Sequence, residues 1–187
     1  MNAVGSKLFI STKLENVLYD GSKASFMGNG FPKAKIRDVY VNDGKIIYLA
    51  DKKVIYKKGK KYVVENIDFE SSKAKIKSYY NFNGIEYFGT NKGLWSRSKN
   101  EKLKLIKNLD VLSLEHNRSN TLYVGSKKGV YLLKNGKLSR YSPSTLESKD
   151  FNKIAVNDIE FISKYEIWYA TFGQGLFLQD IGTIQNF

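Results

Sequence analysis

The fold is decided by the stretch Tyr87-Phe88-Gly89-Thr90-Asn91-Lys92-Gly93-Leu94-Trp95. It contains an aromatic or apolar pair, a small residue, a Thr, Ser or Asp, a short turn and a second apolar pair. The pattern occurs five times, and neighbouring copies lie 39, 39, 36 and 45 residues apart. A period of about forty residues is typical of repeat architectures. The copies are Phe9-Ile10-Ser11-Thr12, Tyr48-Leu49-Ala50-Asp51, Tyr87-Phe88-Gly89-Thr90, Tyr123-Val124-Gly125-Ser126 and Trp168-Tyr169-Ala170-Thr171.

Each copy is surrounded by the signals of short antiparallel strands. Glycine precedes the second apolar pair in three copies, at Gly93, Gly129 and Gly175, where a tight turn needs a residue that tolerates positive φ. Alternating segments such as residues 157–162 lie upstream of every copy but the first. Four short strands within about forty residues are typical of a propeller blade. The predicted fold class is therefore all-β, with blades of four antiparallel strands; a flat meander or a β-solenoid is the alternative.

The repeat predicts a single array of about five blades, at residues 7–30, 31–70, 71–106, 107–143 and 150–187. The first copy begins at its second strand, residues 7–11, so the expected total is about 19 strands. Two interpretations remain open. Either residues 183–187 complete the first blade and close a five-bladed ring, or the chain is a slice of a longer propeller. A slice leaves terminal sheet faces uncovered, and we expect it to self-associate or to pack on neighbouring blades.

Composition excludes several classes of protein. The chain of 187 residues is 42% hydrophobic and contains no cysteine, which excludes a disulfide scaffold, a thiol nucleophile and a cysteine-rich metal site. No apolar run is long enough for a membrane segment, and residues 1–8 lack the apolar core of a signal peptide. The net charge of +13 comes from lysines scattered through predicted turns. We expect a solvated basic surface, and no nucleic acid partner.

The repeat resembles that of the two-component regulator propeller family, whose blades combine an Asn-x-Val start, a Gly-Thr strand end and a Gly-Leu-aromatic strand. Its best copies are Asn157-Asp158-Ile159 with residues 166–177, and residues 87–95; the resemblance covers residues 7–180. The second copy departs from the pattern, with Ala50-Asp51 in place of Gly-Thr. The resemblance implies an extracytoplasmic sensor propeller of a hybrid histidine kinase, in a periplasmic or extracellular location, that recognises glycans or presents a dimerising surface. Family members generally have more than five blades, which favours the slice.

Three aspartates, Asp38, Asp110 and Asp158, precede their copies by 13, 16 and 13 residues, and we assign them to equivalent positions. Lys77 is the aligned residue of the third blade. Repetition favours a structural role, in which each carboxylate accepts a backbone N–H group where the first strand begins. The alternative is that these residues surround a ligand at the channel mouth. The repeated aromatic residues Tyr48, Tyr87, Tyr123 and Trp168, and then Tyr56, Trp95, Tyr131 and Phe177, are expected to pack between blades.

Residues outside the repeat are better candidates for function. Residues 142–153 account for the longest spacing and predict a loop on one face. Together with Arg37, Lys77 and the pair Tyr79-Tyr80, this loop predicts an aromatic and basic site suited to an acidic sugar. The candidate ligand-binding residues are Arg37, Asp38, Lys77, Tyr79, Tyr80, Asp110, Asn157 and Asp158.

Catalysis is not expected, nor is a metal or other cofactor. His116 is the only histidine, and the surrounding polar residues 115–120 predict a solvated turn. The sequence therefore predicts a non-catalytic ligand-sensing or dimerisation segment of a bacterial two-component sensor, with an oligosaccharide or another small ligand, either neutral or anionic. The alternative is a propeller scaffold or lectin-like module that binds protein or anionic polysaccharide without signalling.

Overall fold

All regular secondary structure in the described residues of the computed structural model is β-strand. The described residues are 2–4, 7–11, 16–28, 30–42, 45–70, 73–117, 120–141, 153–163, 165–180 and 183–186. They form five four-stranded sheets in which consecutive strands pair antiparallel, so each sheet is one propeller blade. The predicted fold class is confirmed. The chain divides into two compact units, Met1–Lys77 and Ser78–Phe187.

The first unit contains two blades. Blade 1 consists of β1 (Asn2–Val4), β2 (Lys7–Ser11), β3 (Asn16–Tyr19) and β4 (Ala24–Phe26), and blade 2 of β5 (Asp38–Asn42), β6 (Lys45–Ala50), β7 (Lys53–Lys58) and β8 (Lys61–Asn66). Their facing sides share a core of Phe9, Ile36, Val39, Tyr48 and Ile55. The rings of Phe9 and Tyr48 lie 5.2 Å apart between the two blades. This contact is the interblade aromatic packing that the sequence predicts.

The second unit contains three blades, although the first strand of blade 3 begins two residues before the unit boundary. The strands are β9 (Ile76–Phe82), β10 (Ile85–Thr90), β11 (Gly93–Ser98) and β12 (Lys104–Lys107) in blade 3; β13 (Val111–Asn117), β14 (Thr121–Ser126), β15 (Gly129–Lys134) and β16 (Lys137–Arg140) in blade 4; and β17 (Val156–Phe161), β18 (Glu166–Thr171), β19 (Leu176–Asp180) and β20 (Thr183–Asn186) in blade 5. Tyr123 of blade 4 packs edge-on against Phe161 of blade 5, with ring centroids 4.9 Å apart.

The strands at the two ends of the chain differ from the predicted strand count. β1 pairs with β2 and supplies the strand that the sequence pattern lacks in blade 1. The C-terminal strand β20 pairs with β19, so it completes blade 5 and not blade 1. Of the two interpretations, the one in which residues 183–187 complete the first blade is therefore wrong. Three residues are too few for an alternating pattern to be recognised, which is why β1 was missed.

The hydroxyl of the repeated Thr or Ser closes the turn between the second and third strands of a blade. Thr90 Oγ1 donates to the Gly93 carbonyl at 2.9 Å and accepts from the Lys92 N–H at 3.0 Å. Ser126 makes the same two bonds, donating to the Gly129 carbonyl at 2.7 Å. A hydroxyl is favoured here in blades 3 and 4 because it satisfies backbone groups that a two-residue turn leaves unpaired.

The strand pairing shows that the second copy of the repeat is offset by one residue from the alignment that the sequence predicts. Ala50 pairs with Lys53 as Thr90 pairs with Gly93, so Ala50, and not Asp51, ends the strand. Tyr48 is consequently equivalent to Phe88, and Ile55 to Trp95. The alignment of Tyr48 with Tyr87, and of Tyr56 with Trp95, is wrong. Because both sides of these strands are buried, apolar residues occur without clear alternation, and the register is hard to see in the sequence.

Candidate functional site

In this description the upper end of a blade is the end at which its first strand begins and its second strand turns into its third. In blade 2 this end carries a charged cluster around Asp51. Arg37 Nε donates to Asp51 Oδ1 at 2.8 Å, and Lys75 Nζ lies 3.5 Å from Asp51 Oδ2. Burial would raise the pKa of Asp51, but the hydrogen bond and charge of Arg37, together with Lys75, outweigh it and hold the pKa below its ordinary value. The carboxylate thus remains charged and orients both cations.

The backbone fixes the same cluster. The Arg37 N–H donates to the Leu49 carbonyl and the Ile76 N–H donates to the Asp51 carbonyl, both at 2.7 Å. Lys77, the other basic candidate, is half-buried in β9, one residue beyond Ile76. The structure therefore places Arg37 and Lys77 in segments that are both anchored to the β5–β6–β7 part of blade 2.

Asp38 and Asp158 make the backbone hydrogen bonds expected from their repetition. Asp38 Oδ1 accepts from the Val39 N–H at 2.9 Å, and Asp158 Oδ1 accepts from the Ile159 N–H at 3.0 Å. Their registers agree as well, since Asp38 pairs with Leu49 and Asp158 with Ala170 at equivalent positions of the second strand. The predicted structural role of these two carboxylates is confirmed.

Asp110 does not belong to this set. Gly125 is the residue of blade 4 equivalent to Ala170, and it pairs with Ser113. Asp110 lies before β13 and forms an ion pair with Lys127, its Oδ2 lying 3.1 Å from Nζ. The assignment of Asp110 to the position of Asp38 and Asp158 is therefore wrong. The equivalent residue Ser113 lies 13 residues before the end of its copy, as Asp38 and Asp158 do, so the error came from accepting a spacing of 16 in order to align an aspartate.

The two tyrosines of the predicted acidic-sugar site point in different directions. Tyr79 is 4% exposed, its ring contacts Phe88 and its hydroxyl donates to Glu86 Oε1 at 2.9 Å. Tyr80 is half-buried, with its ring 5.7 Å from that of His116. Tyr79 is thus part of the interior of the blade, and only Tyr80 retains contact with solvent. The predicted loop, apart from Lys153, lies outside the described residues.

His116 lies in strand β13 and not in a solvated turn. Its ring packs on Phe82 with centroids 4.1 Å apart, and its Nε2 has no hydrogen-bond partner among the described residues. Burial lowers the pKa of the imidazole. Strand β13 extends to Asn117, whose side-chain oxygen accepts from the Thr121 N–H at 3.0 Å. The expectation of a solvated histidine is wrong, because β13 extends through a polar sequence.

Glu115, Asp158 and Glu160 form an acidic group on the first strands of blades 4 and 5. The pKa of Glu115 is raised to about 7, first by burial and then by the charges of Glu160 and Asp158, although its hydrogen bond from the His116 N–H opposes the shift. Desolvation likewise raises the pKa of Asp158. The described residues contain no group of three or more His, Asp or Glu side chains arranged to hold a metal ion.

Glu115→Gln is expected to stabilise the protein at high pH. The folded-state pKa of Glu115 lies above its unfolded value, so its stabilising contribution is complete below about pH 4.5 and is lost as the pH rises through about 7. The shift corresponds to roughly 3 kcal/mol. Thermal unfolding should therefore give a higher Tm for Glu115→Gln than for wild type at pH 8, and similar values at pH 4.5. The exposed Glu70→Gln is the control, and equal Tm values for Glu115→Gln and wild type at pH 8 would contradict the assignment.

The upper end of blade 5 differs from the equivalent turns of blades 2 to 4. Three residues, Phe172, Gly173 and Gln174, replace the usual two, and Thr171 closes the turn through its hydroxyl, which donates to the Gly175 carbonyl at 2.7 Å. The Phe172 N–H donates to the Ala155 carbonyl at 2.9 Å. Phe172 is nevertheless 77% exposed. The candidate Asn157, also exposed, is the additional residue of a β-bulge between Val156 and Asp158.

Phe172 and Gln174 are absent from the residues proposed on sequence grounds. The signal was present in the sequence, because the fifth copy has three residues between Thr171 and Gly175 where the third has two between Thr90 and Gly93. Sequence spacing alone does not tell an exposed phenylalanine from a packed one.

No protein-family model matches the chain, and no curated protein is similar enough in sequence to match it. Several solved structures superpose on this chain and have the same fold. The extracellular domain of the putative hybrid two-component system BT4673 from B. thetaiotaomicron superposes with a TM-score of 0.73 and 17% identity, over 95% of this chain and 26% of that one. The extracellular domain of the putative hybrid two-component system BT3049 from the same organism superposes with a TM-score of 0.63 and 13% identity, over 86% of this chain and 25% of that one. The chain thus spans about a quarter of these sensor domains.

Propellers of other kinds share the fold. The structure described as YCF48 bound to D1 peptide gives a TM-score of 0.64 and 13% identity, over 97% of this chain and 63% of that one. At these identities the likeness shows the fold, and it is the fold that the resemblance to sensor propellers implied. Among the described residues, no helix is long and apolar enough to cross a membrane.

Proposed function

We propose that this chain is a non-catalytic, ligand-sensing or dimerisation segment of a bacterial two-component sensor, located in the periplasm or outside the cell, with a carbohydrate as its ligand. The observation that carries the proposal is the match of 95% of the chain to the extracellular domain of a putative hybrid two-component system. A chain that spans 26% of such a domain suits the role of a segment. In that role it works with further blades or with a second copy.

The basic residues at the upper end of blade 2 are the proposed contacts for an anionic group of the ligand. Asp51 orients Arg37 and Lys75, and Lys77 follows directly after Ile76, whose N–H donates to the Asp51 carbonyl. Arginine is well suited to carboxylate because it presents several donors in a fixed plane. Of the other candidates, Asp38 holds the beginning of β5 through its hydrogen bond from the Val39 N–H. Asp110 holds Lys127 through an ion pair.

A scaffold that binds protein or polysaccharide without signalling is the second proposal. It is favoured by the likeness to YCF48, whose structure contains a bound D1 peptide. Propellers generally use exposed loops at one end of the blades for such contacts. A scaffold differs from a sensor in that its ligand is a partner protein, so the two proposals are separated by the class of ligand that binds.

A thermal-shift screen against acidic and neutral oligosaccharides, at low and high salt and with the solution mass recorded in parallel, tests the proposed function. A ligand at a hundred times its Kd adds about 2.7 kcal/mol, which raises Tm by roughly 5–10 °C for a chain of this length. We expect a salt-resistant shift with one sugar. A shift with every polyanion that disappears at high salt would reduce the effect to surface charge. No shift together with a dimeric mass would favour dimerisation as the role of the segment.

Replacing Arg37 and Lys77 by alanine together tests the proposed basic contacts. For an acidic oligosaccharide that shifts the wild type, we expect the double variant to lose most of the shift, because the charge and the directed donors are removed. The control is Lys57→Ala with Lys60→Ala, which removes the same charge from the exposed outer hairpin of blade 2. Equal shifts for wild type and the Arg37 and Lys77 variant would remove these residues from the site.

A further inference from the structure

The upper end of blade 5 presents an aromatic ring to solvent from a hydrogen-bonded turn. Single exposed apolar residues are common on protein surfaces, so exposure alone assigns no role to Phe172. Here, however, the backbone of the turn is held on both sides. The Thr171 N–H donates to the Gly175 carbonyl at 3.1 Å, and the Phe172 N–H donates to the Ala155 carbonyl at 2.9 Å. The ring therefore projects from a fixed backbone.

Apart from this ring, the turn carries few side-chain atoms, because two of its residues are glycines. Gly173 and Gly175 have φ values of 80° and 77°, in the region where a side chain is strained, and a Cβ at Gly173 would meet nothing within 4 Å. The turn therefore bends sharply around two residues without side chains, and leaves open space beside Phe172. Gln174, between the two glycines, is exposed and adds an amide that can donate and accept.

A second amide lies on the neighbouring strand. The hydrogen bond to the Ala155 carbonyl holds Phe172 to the chain two residues before Asn157. Asn157 is the additional residue of the bulge and is exposed, whereas its neighbour Val156 is fully buried. Bulges commonly redirect one side chain away from the sheet. The sequence and the pairing thus bring one exposed ring and two exposed amides to the same end of blade 5.

We propose that Phe172, Gln174 and Asn157 form a carbohydrate-binding subsite, in which the phenyl ring packs on the apolar face of one sugar ring and the amides bond its hydroxyls. Sugar rings offer a C–H face to an aromatic ring and hydroxyls that pair with groups able both to donate and to accept. The inference rests on the proposed function and adds to it a neutral sugar contact, separate from the basic contacts of blade 2. No charged side chain lies within residues 171–177.

The size of the surface favours a sugar over a protein partner. One exposed phenyl ring, with the half-exposed Leu176 beside it, offers an apolar area of the order of one or two side chains. A stable protein interface needs about 800 Å² on each partner. One exposed ring with two exposed amides at the same blade end instead suits one sugar unit, and such a composition is common in small-ligand sites.

The test is saturation-transfer NMR and titration of the full chain with xylohexaose, mannohexaose and a hexamer of galacturonic acid. We expect at least one to bind the wild type, with the strongest saturation on ring C–H protons. Phe172→Ala should weaken that binding roughly tenfold, equivalent to about 1.4 kcal/mol, and Gln174→Ala should weaken it less. Phe172→Tyr should bind within about threefold of wild type because it keeps the ring. The control Tyr165→Ala, which removes another exposed aromatic ring, should not change it.

The outcomes separate this subsite from the proposed function. Equal affinity of Phe172→Ala and wild type for a bound hexasaccharide would overturn the subsite and leave carbohydrate sensing intact. Absence of binding to all three hexasaccharides would overturn the subsite and count against a carbohydrate ligand. A concentration-dependent dimer that Phe172→Ala dissociates would overturn it in favour of a second copy as the occupant. Each variant is first compared with wild type by Tm, so that loss of folding is recognised.

Discussion

Gly125→Ala is expected to lower the free energy of unfolding by about 3 kcal/mol or more, which is at the upper end for an added methyl group. A Cβ on Gly125 would lie 2.2 Å from Ser113 Oγ and 2.8 Å from the backbone oxygen of Val156, which begins the next blade. The hydroxyl can rotate away, but the backbone oxygen cannot move without shifting β17. Urea unfolding followed by tryptophan fluorescence measures the effect, since both tryptophans, Trp95 and Trp168, lie in the second unit.

Gly28→Ala is the matched control, because a Cβ at Gly28 would meet nothing within 4 Å. It should change the unfolding free energy by less than about 0.5 kcal/mol. Gly89 offers an internal comparison. Its nearest contacts are the side-chain atoms Ser78 Oγ and Val111 Cγ1, at 2.2 and 2.5 Å, so Ser78→Ala should recover part of the loss caused by Gly89→Ala. A Gly125→Ala protein as stable as Gly28→Ala would contradict the close packing between blades 4 and 5.

Tyr169→Ala is expected to cost about 3–5 kcal/mol, the range for removing a large buried aromatic side chain. Tyr169 is 0% exposed and lies in the core shared by blades 4 and 5, with Tyr123, Ile159 and Phe177 around it. Its hydroxyl donates to Gln179 Oε1 at 2.7 Å. Burial raises the pKa of this hydroxyl far above its ordinary value, so it stays protonated and keeps donating throughout the ordinary pH range.

Tyr169→Phe separates the hydroxyl from the ring. It keeps the packing and removes the hydrogen bonds of the hydroxyl with Gln179 and Tyr141, so we expect a loss of about 1–2 kcal/mol. The same urea experiment compares both variants with Tyr165→Ala, whose exposed side chain should contribute little. If Tyr169→Ala cost no more than Tyr169→Phe, the ring would not be filling the core, and the packing of blades 4 and 5 described above would be wrong.

The fold could be predicted because the features that recur in the repeat have local physical causes. A Thr or Ser closes the two-residue turns of blades 3 and 4, and Asn135 and Gly136, with φ values of 51° and 74°, form the left-handed hairpin turn that their sequence predicts. These are local requirements, and each recurs at a regular distance along the chain. The same reasoning missed β1, because three residues of a blade's first strand carry no turn signal of their own.

The register was less accessible to prediction. Ala50 cannot make the hydroxyl bonds of Thr90, so the second copy lacks the group that marks the strand end, and the sequence pattern points to Asp51 instead. The error at Asp110 has a different cause. Ser113 lies 13 residues before Ser126, the same spacing as for Asp38 and Asp158 in their copies, and it pairs with Gly125 at the equivalent position. Because Ser113 carries no carboxylate, an alignment guided by residue type selects Asp110 instead.

The candidate site was predicted in its chemistry more than in its geometry. Arg37 lies beside an acidic partner at a blade end, but Tyr79 turned out to be interior and His116 to be packed on Phe82. Exposure decides which aromatic residue can meet a ligand, and exposure depends on contacts between blades. For the same reason Phe172, which resembles any other aromatic residue of the repeat, became a candidate only when its side chain was seen in solvent.

The most direct test of the central claim, that this propeller segment binds a carbohydrate without converting it, is a calorimetric titration of the full chain with the hexasaccharides, followed by mass spectrometry of the recovered sugar. We predict binding of at least one hexasaccharide that persists at high salt, with the sugar recovered intact. Release of shorter products would show that the protein is an enzyme. Binding confined to the acidic hexamer and abolished by salt would show only attraction to a chain of net charge +13.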